Sequence, residues 1–117
     1  MRLIMDTPAD DLLIVLVEGG LDAEASTKFT DVLGAKITAG FRRVIVDGRR
    51  MTYLGSQGIG ALLALHTRCR KAGGDLKIAG LRGLVGDVIR TTGLHLRFDL
   101  FDTTDAARAA FTPSPQA

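Results

Sequence analysis

The chain has 117 residues, 46% of them hydrophobic, 24% charged and only 5% aromatic. That length suits one domain, and that composition suits a core of aliphatic side chains rather than rings. Fifteen basic residues against thirteen acidic ones leave a charge of +2, and scattered cations of this kind argue against direct nucleic-acid binding.

Leu3 and Met5, then the apolar run 12–17, flank Pro8-Ala9-Asp10-Asp11, a turn composition that predicts a β-hairpin. The run does not alternate with polar residues, so it predicts a strand covered on both faces. Gly19-Gly20 ends that strand. Asp22 is placed to cap a helix by accepting its free backbone N–H groups. Ala25, Phe29, Val32, Leu33 and Ile37 give that helix one apolar stripe, and Gly40 stands at its C-terminal end.

Val44-Ile45-Val46 predicts a second buried strand, ending at Asp47. Residues 48–55 read as a loop into the next helix. On that helix Ile59, Leu62, Leu63, His66 and Arg70 share one side, with Cys69 at its margin and Gly73-Gly74 as the stop. Leu76 and Ile78 around Lys77 mark a third core strand. Leu84, Val85, Val88, Ile89 and Thr92 form a short amphipathic helix ended by Gly93. Phe98, Leu100 and Phe101 predict a last short strand, and Thr103 or Thr104 caps an Ala-rich helix to Phe111.

A hairpin followed by alternating helix and strand predicts an α/β layer structure. The expected sheet is mixed and four- to five-stranded, with about four helices. It is antiparallel at the first strand and parallel where helices cross over. Residues 1–112 are expected to form one domain and 113–117 a flexible tail.

The residues supply no catalytic set, so no enzyme is expected. His66 and His95 are too few and too far apart for a metal site. His66 lies on an apolar stripe, where a packed, hydrogen-bonded histidine is expected. Ser56, His66 and Asp75 run along a helix and its exit, pointing away from one another. Ser56 stands in Gly55-Ser56-Gln57-Gly58, which is not the Gly-x-Ser-x-Gly elbow of hydrolases. Gly55, Gly58 and Gly60 lack the Lys-Ser/Thr of a phosphate-binding loop and the spacing of a dinucleotide site. The single cysteine, Cys69, can form neither an internal disulfide nor a metal cluster. No cofactor is expected. No apolar run reaches the ~20 residues of a membrane helix, and the N-terminus has no signal-peptide core. A cytoplasmic protein without membrane insertion is therefore expected.

The segment from Met51 to Leu62 carries the remaining signal. Leu54-Gly55-Ser56-Gln57-Gly58-Ile59-Gly60 resembles the hydrophobic-Asp-Ser-Ser-Gly-Leu-Gly signature of the STAS family. Gly19-Gly20-Leu21-Asp22 resembles that family's Gly-Glu-Leu-Asp turn, and Val44-Ile45-Val46-Asp47 the strand before its signature loop. Ala72-Gly73-Gly74-Asp75-Leu76 and Thr92-Gly93-Leu94 fall in the matching places further on. Three positions depart from the pattern. Gly55 stands for Asp, Gln57 for the second Ser, and Gly20 for Glu.

The resemblance implies a STAS-like single domain and an anti-sigma factor antagonist working by partner switching. The unmodified form would bind an anti-sigma factor serine kinase. Phosphorylation of Ser56 would release it, and a PP2C-type phosphatase would reset it. The expected partner-binding residues are Asp22, Gly55, Ser56, Gln57 and Gly58, on a monomer or weak homodimer. Ser56 at a helix entry equally suits a helix N-cap, and Asp22 equally suits a cap. The alternatives are an accessory subunit of a lipid-trafficking ABC transporter, without a phosphoserine cycle, or a subunit of a stressosome-like scaffold.

Overall fold

A computed structural model describes residues 1–111. The expected tail at 113–117 and the expected domain boundary at residue 112 lie outside the described residues. The hairpin forms as β1 (Arg2–Ala9) and β2 (Leu12–Leu21), antiparallel, with Leu3 opposite Val17 and Met5 opposite Val15. Next come α1 (Ala23–Thr38), β3 (Arg43–Asp47), β4 (Met51–Leu54) and α2 (Ser56–Lys71). The chain continues through β5 (Asp75–Ala79), α3 (Gly83–Thr91), a 3-10 turn (Leu94–Leu96), β6 (Asp99–Phe101) and α4 (Thr104–Phe111).

The main sheet runs β1-β2-β3-β5-β6, parallel except at β1, and β4 extends it by pairing parallel with the far end of β2. The α/β layering expected from the pattern is present, with four helices and six strands among the described residues. The additional strand is β4, in the stretch read as a loop. Its buried residues, Met51 and Leu54, flank exposed Thr52 and Tyr53, so it lacks the two-residue alternation of a half-buried strand. The reason is an irregularity in the pairing: Gly19 opposes Met51 but Gly20 opposes Tyr53, leaving Thr52 out of register.

Both faces of β2 are covered, as an unbroken apolar run requires. Leu13, Val15 and Val17 enter the main core with Phe29 and Leu33 of α1, Leu62 and Leu65 of α2, and Val85 and Ile89 of α3. Leu12 and Ile14 face the other way, toward Ile45, Ala79 and Ala107 under α4. Gly40, just past α1, has φ +113°, a left-handed backbone that only glycine adopts cheaply. Cys69 is fully buried in the main core, and burial, reinforced by the charge of Asp75, pushes its thiol up to about 12. It is an inert packing residue.

His66 and Asp75 differ from expectation. They do not point apart: His66 Nε2 lies 3.2 Å from Asp75 Oδ1. The Ala72-Gly73-Gly74 reversal lays β5 back along the last turns of α2, so the strand's first residue meets the helix side. His66 is also edge-to-face with Phe98, at 5.1 Å between centroids, so it is packed and paired as its stripe predicted. Ser56 is ten positions earlier, ~15 Å along the helix axis, and no catalytic triad forms.

Two ionic groups tie neighbouring strands together. Asp11 in the hairpin turn takes Arg43 Nη2 at 2.6 Å and Arg42 Nε at 3.3 Å. The Arg43 hydrogen bond holds its carboxyl below the ordinary carboxylate range, against the opposing effect of burial. A depressed folded-state pKa gives stability that is present at neutral pH and lost as the pH falls through that value. Asp11→Asn should therefore flatten the loss of stability below about pH 4, while changing little in the slope above pH 5. Urea unfolding across that range checks it, and an unchanged acid limb would refute it. Lys77, on the α4 face, lies 3.2 Å from Asp75 and 2.8 Å from Asp99, with its ammonium over the Phe111 ring. Burial works against its charge, but these carboxylates outweigh it and its pKa is raised.

Candidate functional site

The paired ends of β2 and β4 place the candidate residues side by side. Leu21 opposes Leu54 in parallel register, so the next residues, Asp22 and Gly55, leave adjacent strands together and open α1 and α2. This is the carboxyl edge of parallel strands, where open α/β sheets commonly build their sites. Gly58, in the first turn of α2, is buried against Leu21 and Leu54. That contact sets the height of the helix N-terminus above the strands.

Ser56 is exposed as the first residue of α2, and the N-cap is Gly55, which makes no side-chain capping bond. The N-cap role open to Ser56 in the sequence therefore falls to its neighbour, and its hydroxyl faces solvent. The first hydrogen bond of the helix runs from Ile59 N–H to the Gly55 carbonyl at 3.0 Å. The N–H groups of Ser56, Gln57 and Gly58 precede it and have no partner within the helix. The first turn of α2 holds no acid. An anion at Ser56 would meet the positive end of the helix dipole without a neighbouring carboxylate on that turn.

Asp22 caps α1: its Oδ1 accepts from Ala25 N–H at 2.9 Å. Its expected capping role is thus present, and the cap aims the carboxylate at its own helix. Asp22→Ala should cost about 1 kcal/mol, a fall in Tm of about 5 °C, measurable by circular dichroism. A Tm within 1 °C of the unsubstituted chain would show that the cap contributes nothing. Gln57 is exposed beside Ser56 and borders a shallow groove of about 500 Å³ between α1 and α2, with Ala23, Ser26, Gly60 and Ala61.

The description of a STAS domain in the family models matches residues 4–107. The chain belongs to the STAS domain family. A Bordetella bronchiseptica protein bearing the name anti-sigma factor antagonist BtrV is 30% identical over 111 residues, which span 95% of each chain. An anti-sigma factor antagonist from Mycobacterium paratuberculosis superposes with a TM-score of 0.82 at 25% identity, covering 94% of this chain and 92% of that one. SpoIIAA in its unphosphorylated form, at 16% identity, gives a TM-score of 0.82 over 97% of this chain and all of the other. The phosphorylated form of SpoIIAA, from Bacillus, gives 0.74 at 14% identity over 95% of this chain and 100% of that one. These relatives are named for regulation by antagonism, not for catalysis.

Within this STAS domain the structure brings Asp22, Gly55, Ser56, Gln57 and Gly58 to one end of the sheet. Four border solvent, and Gly58 supports them from below. One neighbour was not singled out from the sequence: Tyr53, 55% exposed, whose side chain lies over Gly55. It is the chain's single tyrosine. Its position in a stretch without strand periodicity hid the fact that it projects outward from β4. Beside it, Leu84 and Val88 of α3 line an apolar hollow of about 410 Å³. Among the described residues no three metal-ligating side chains cluster, and no helix is long and apolar enough to cross a membrane.

Proposed function

We propose that this STAS domain is a partner-switching anti-sigma factor antagonist controlled at Ser56. Unmodified, it binds an anti-sigma factor serine kinase through the surface formed by Asp22, Gly55, Ser56 and Gln57. Phosphorylation of Ser56 releases it, and a PP2C-type phosphatase restores the binding form. The observation that carries this reading is the exposed Ser56 hydroxyl at the first position of α2, unused as a cap and beside unpaired backbone N–H groups. Two further points support it: the relative that is 30% identical is named as an antagonist, and SpoIIAA of the same fold exists in phosphorylated and unphosphorylated forms.

The chemistry follows from charge. A phosphate adds about −1.5 to −2 charges at neutral pH. Facing water at a helix N-terminus, that charge is tolerated by the domain. Under a partner surface it must be stripped of water, which costs several kcal/mol unless the partner supplies cations. The modification therefore acts on the complex and leaves the fold intact.

The test is incubation with an anti-sigma factor serine kinase of the same organism and Mg-ATP, followed by intact mass and site mapping. One phosphoryl group on Ser56 is the expected result. A chain left unmodified would overturn this reading in favour of a transporter accessory or a scaffold subunit.

A further inference from the structure

Two of the positions at which this surface departs from the STAS signature are Gly20 and Gly55, where the resemblance gives Glu and Asp. The backbone demands glycine at neither. Gly55 is extended, with φ −98° and ψ −176°, and Gly20 is not among the glycines of positive φ. Both positions are instead crowded by one side chain. A Cβ built on Gly55 would lie 2.6 Å from the Tyr53 hydroxyl and 3.1 Å from ring carbons Cε2 and Cζ. A Cβ built on Gly20 would lie 3.0 Å from Tyr53 Cβ and 3.7 Å from Cδ2. The Tyr53 ring fills the space that a side chain at position 55 would need, and its Cβ presses on position 20.

Tyr53 also lines two hollows. One is the apolar hollow walled by Leu54, Leu84, Val85 and Val88. The other is a polar one of about 590 Å³ with Asp22, Glu24 and Lys28. A half-exposed ring lining both is a large apolar area with a polar tip and little rotamer freedom to lose. Those are the properties of an interface anchor.

We infer that Tyr53 is the specificity-determining residue of the Ser56 surface. Its ring takes the place of the acidic side chain at position 55, so the chain selects a kinase that presents an apolar slot there. A kinase that reads an acid at the residue before the serine finds Gly55 here. The inference rests on the proposed kinase switch and adds the chemistry by which the partner is chosen.

A four-variant cycle tests it in the full chain: the unsubstituted protein, Tyr53→Ala, Gly55→Asp and the double variant. Each is assayed as a substrate of the same kinase with Mg-ATP, with KM and kcat determined separately. Tyr53→Ala is expected to raise KM about 30-fold, with kcat within about threefold. Gly55→Asp is expected to do the same, because its side chain pushes out the ring. The double variant should be no worse than either single one, by a factor of about three. Tyr53→Phe keeps the ring and should keep KM within about threefold of the unsubstituted value. All four variants should melt within about 3 °C of the unsubstituted chain, since a half-exposed ring can swing outward without disturbing the core.

Additive effects of Tyr53→Ala and Gly55→Asp, or a Tyr53→Phe variant as weak as Tyr53→Ala, would overturn the assignment. An unsubstituted chain that is not phosphorylated on Ser56 would overturn the switch itself and the inference with it. The two failures are thus told apart by the unsubstituted control.

Discussion

On the proposed switch, Ser56→Asp should bind an anti-sigma factor kinase about 100-fold more weakly than Ser56→Ala, a gap of about 2.7 kcal/mol. The argument turns on where the charge sits before and after binding. In the free chain position 56 is exposed on the first turn of α2, and no acid stands on that turn. The helix N-terminus favours an anion there by ~0.3–1 kcal/mol. Ser56→Asp should therefore leave Tm unchanged or raise it by up to about 5 °C. In the proposed complex the same charge would lose its water, and each uncompensated kcal/mol would appear directly in the affinity.

Ser56→Ala removes only a hydroxyl that caps nothing, so it should bind like the unmodified chain and resist release by ATP. A phosphate carries nearly twice the charge of aspartate and should exceed its effect. Moving a complex from almost wholly bound to almost wholly free requires ~5.5 kcal/mol. Calorimetric titration of both variants with kinase and a non-hydrolysable nucleotide measures the gap. Equal dissociation constants would mean that charge at position 56 does not control the complex.

Much of the fold was legible because its signals are local. Asp22 before an apolar stripe gave the start of α1, and the cap bond to Ala25 N–H is present. The unbroken run 12–17 gave a strand covered on both faces, and α4 supplies the second cover. Thr103, one of two candidate caps for α4, accepts from Ala106 N–H at 3.1 Å. Illegible features depended on which segments become neighbours. β4 is a strand only because β2 runs on past β3 and offers its free end. Its irregular register places Met51 and Leu54, not alternate residues, in the core. The His66–Asp75 contact likewise exists only after α2 and β5 fold back on each other.

The candidate site shows the same division. Ser56 and Asp22 were identifiable by residue type and by the family signature around them. Their adjacency, set by the Leu21–Leu54 register, was not. Nor was the transfer of the N-cap role to Gly55. Serine is favoured at an N-cap, but a one-residue shift of a helix start is below what local pattern resolves. Tyr53 was invisible for a stronger reason: its proposed role rests on the side chains missing at 20 and 55, and both glycines contact it only once β2 and β4 are paired.

Gly58→Ala should lower stability by about 2 kcal/mol, a fall in Tm on the order of 10 °C. Two effects oppose each other. Alanine is the better helix former, by ~1 kcal/mol. Against that, a Cβ at Gly58 would stand 2.8 Å from Leu21 Cβ, 2.8 Å from Leu54 Cδ1 and 2.9 Å from the Leu21 carbonyl oxygen. Leu54 can rotate, but the Leu21 carbonyl and Cβ belong to the strand that carries the sheet. The helix has to lift off the strand ends, and packing overrides propensity. Because Ser56 lies two residues earlier, the same displacement moves it away from Asp22. On the proposed switch, phosphorylation of Ser56 in Gly58→Ala should therefore fall even at temperatures where the chain is fully folded. Gly60→Ala is the matched comparison: nothing lies within 4 Å of a Cβ there, so propensity acts alone and Tm should rise by about 5 °C. A Gly58→Ala chain that melts with Gly60→Ala would show that α2 does not need this close approach to hold Ser56 in place.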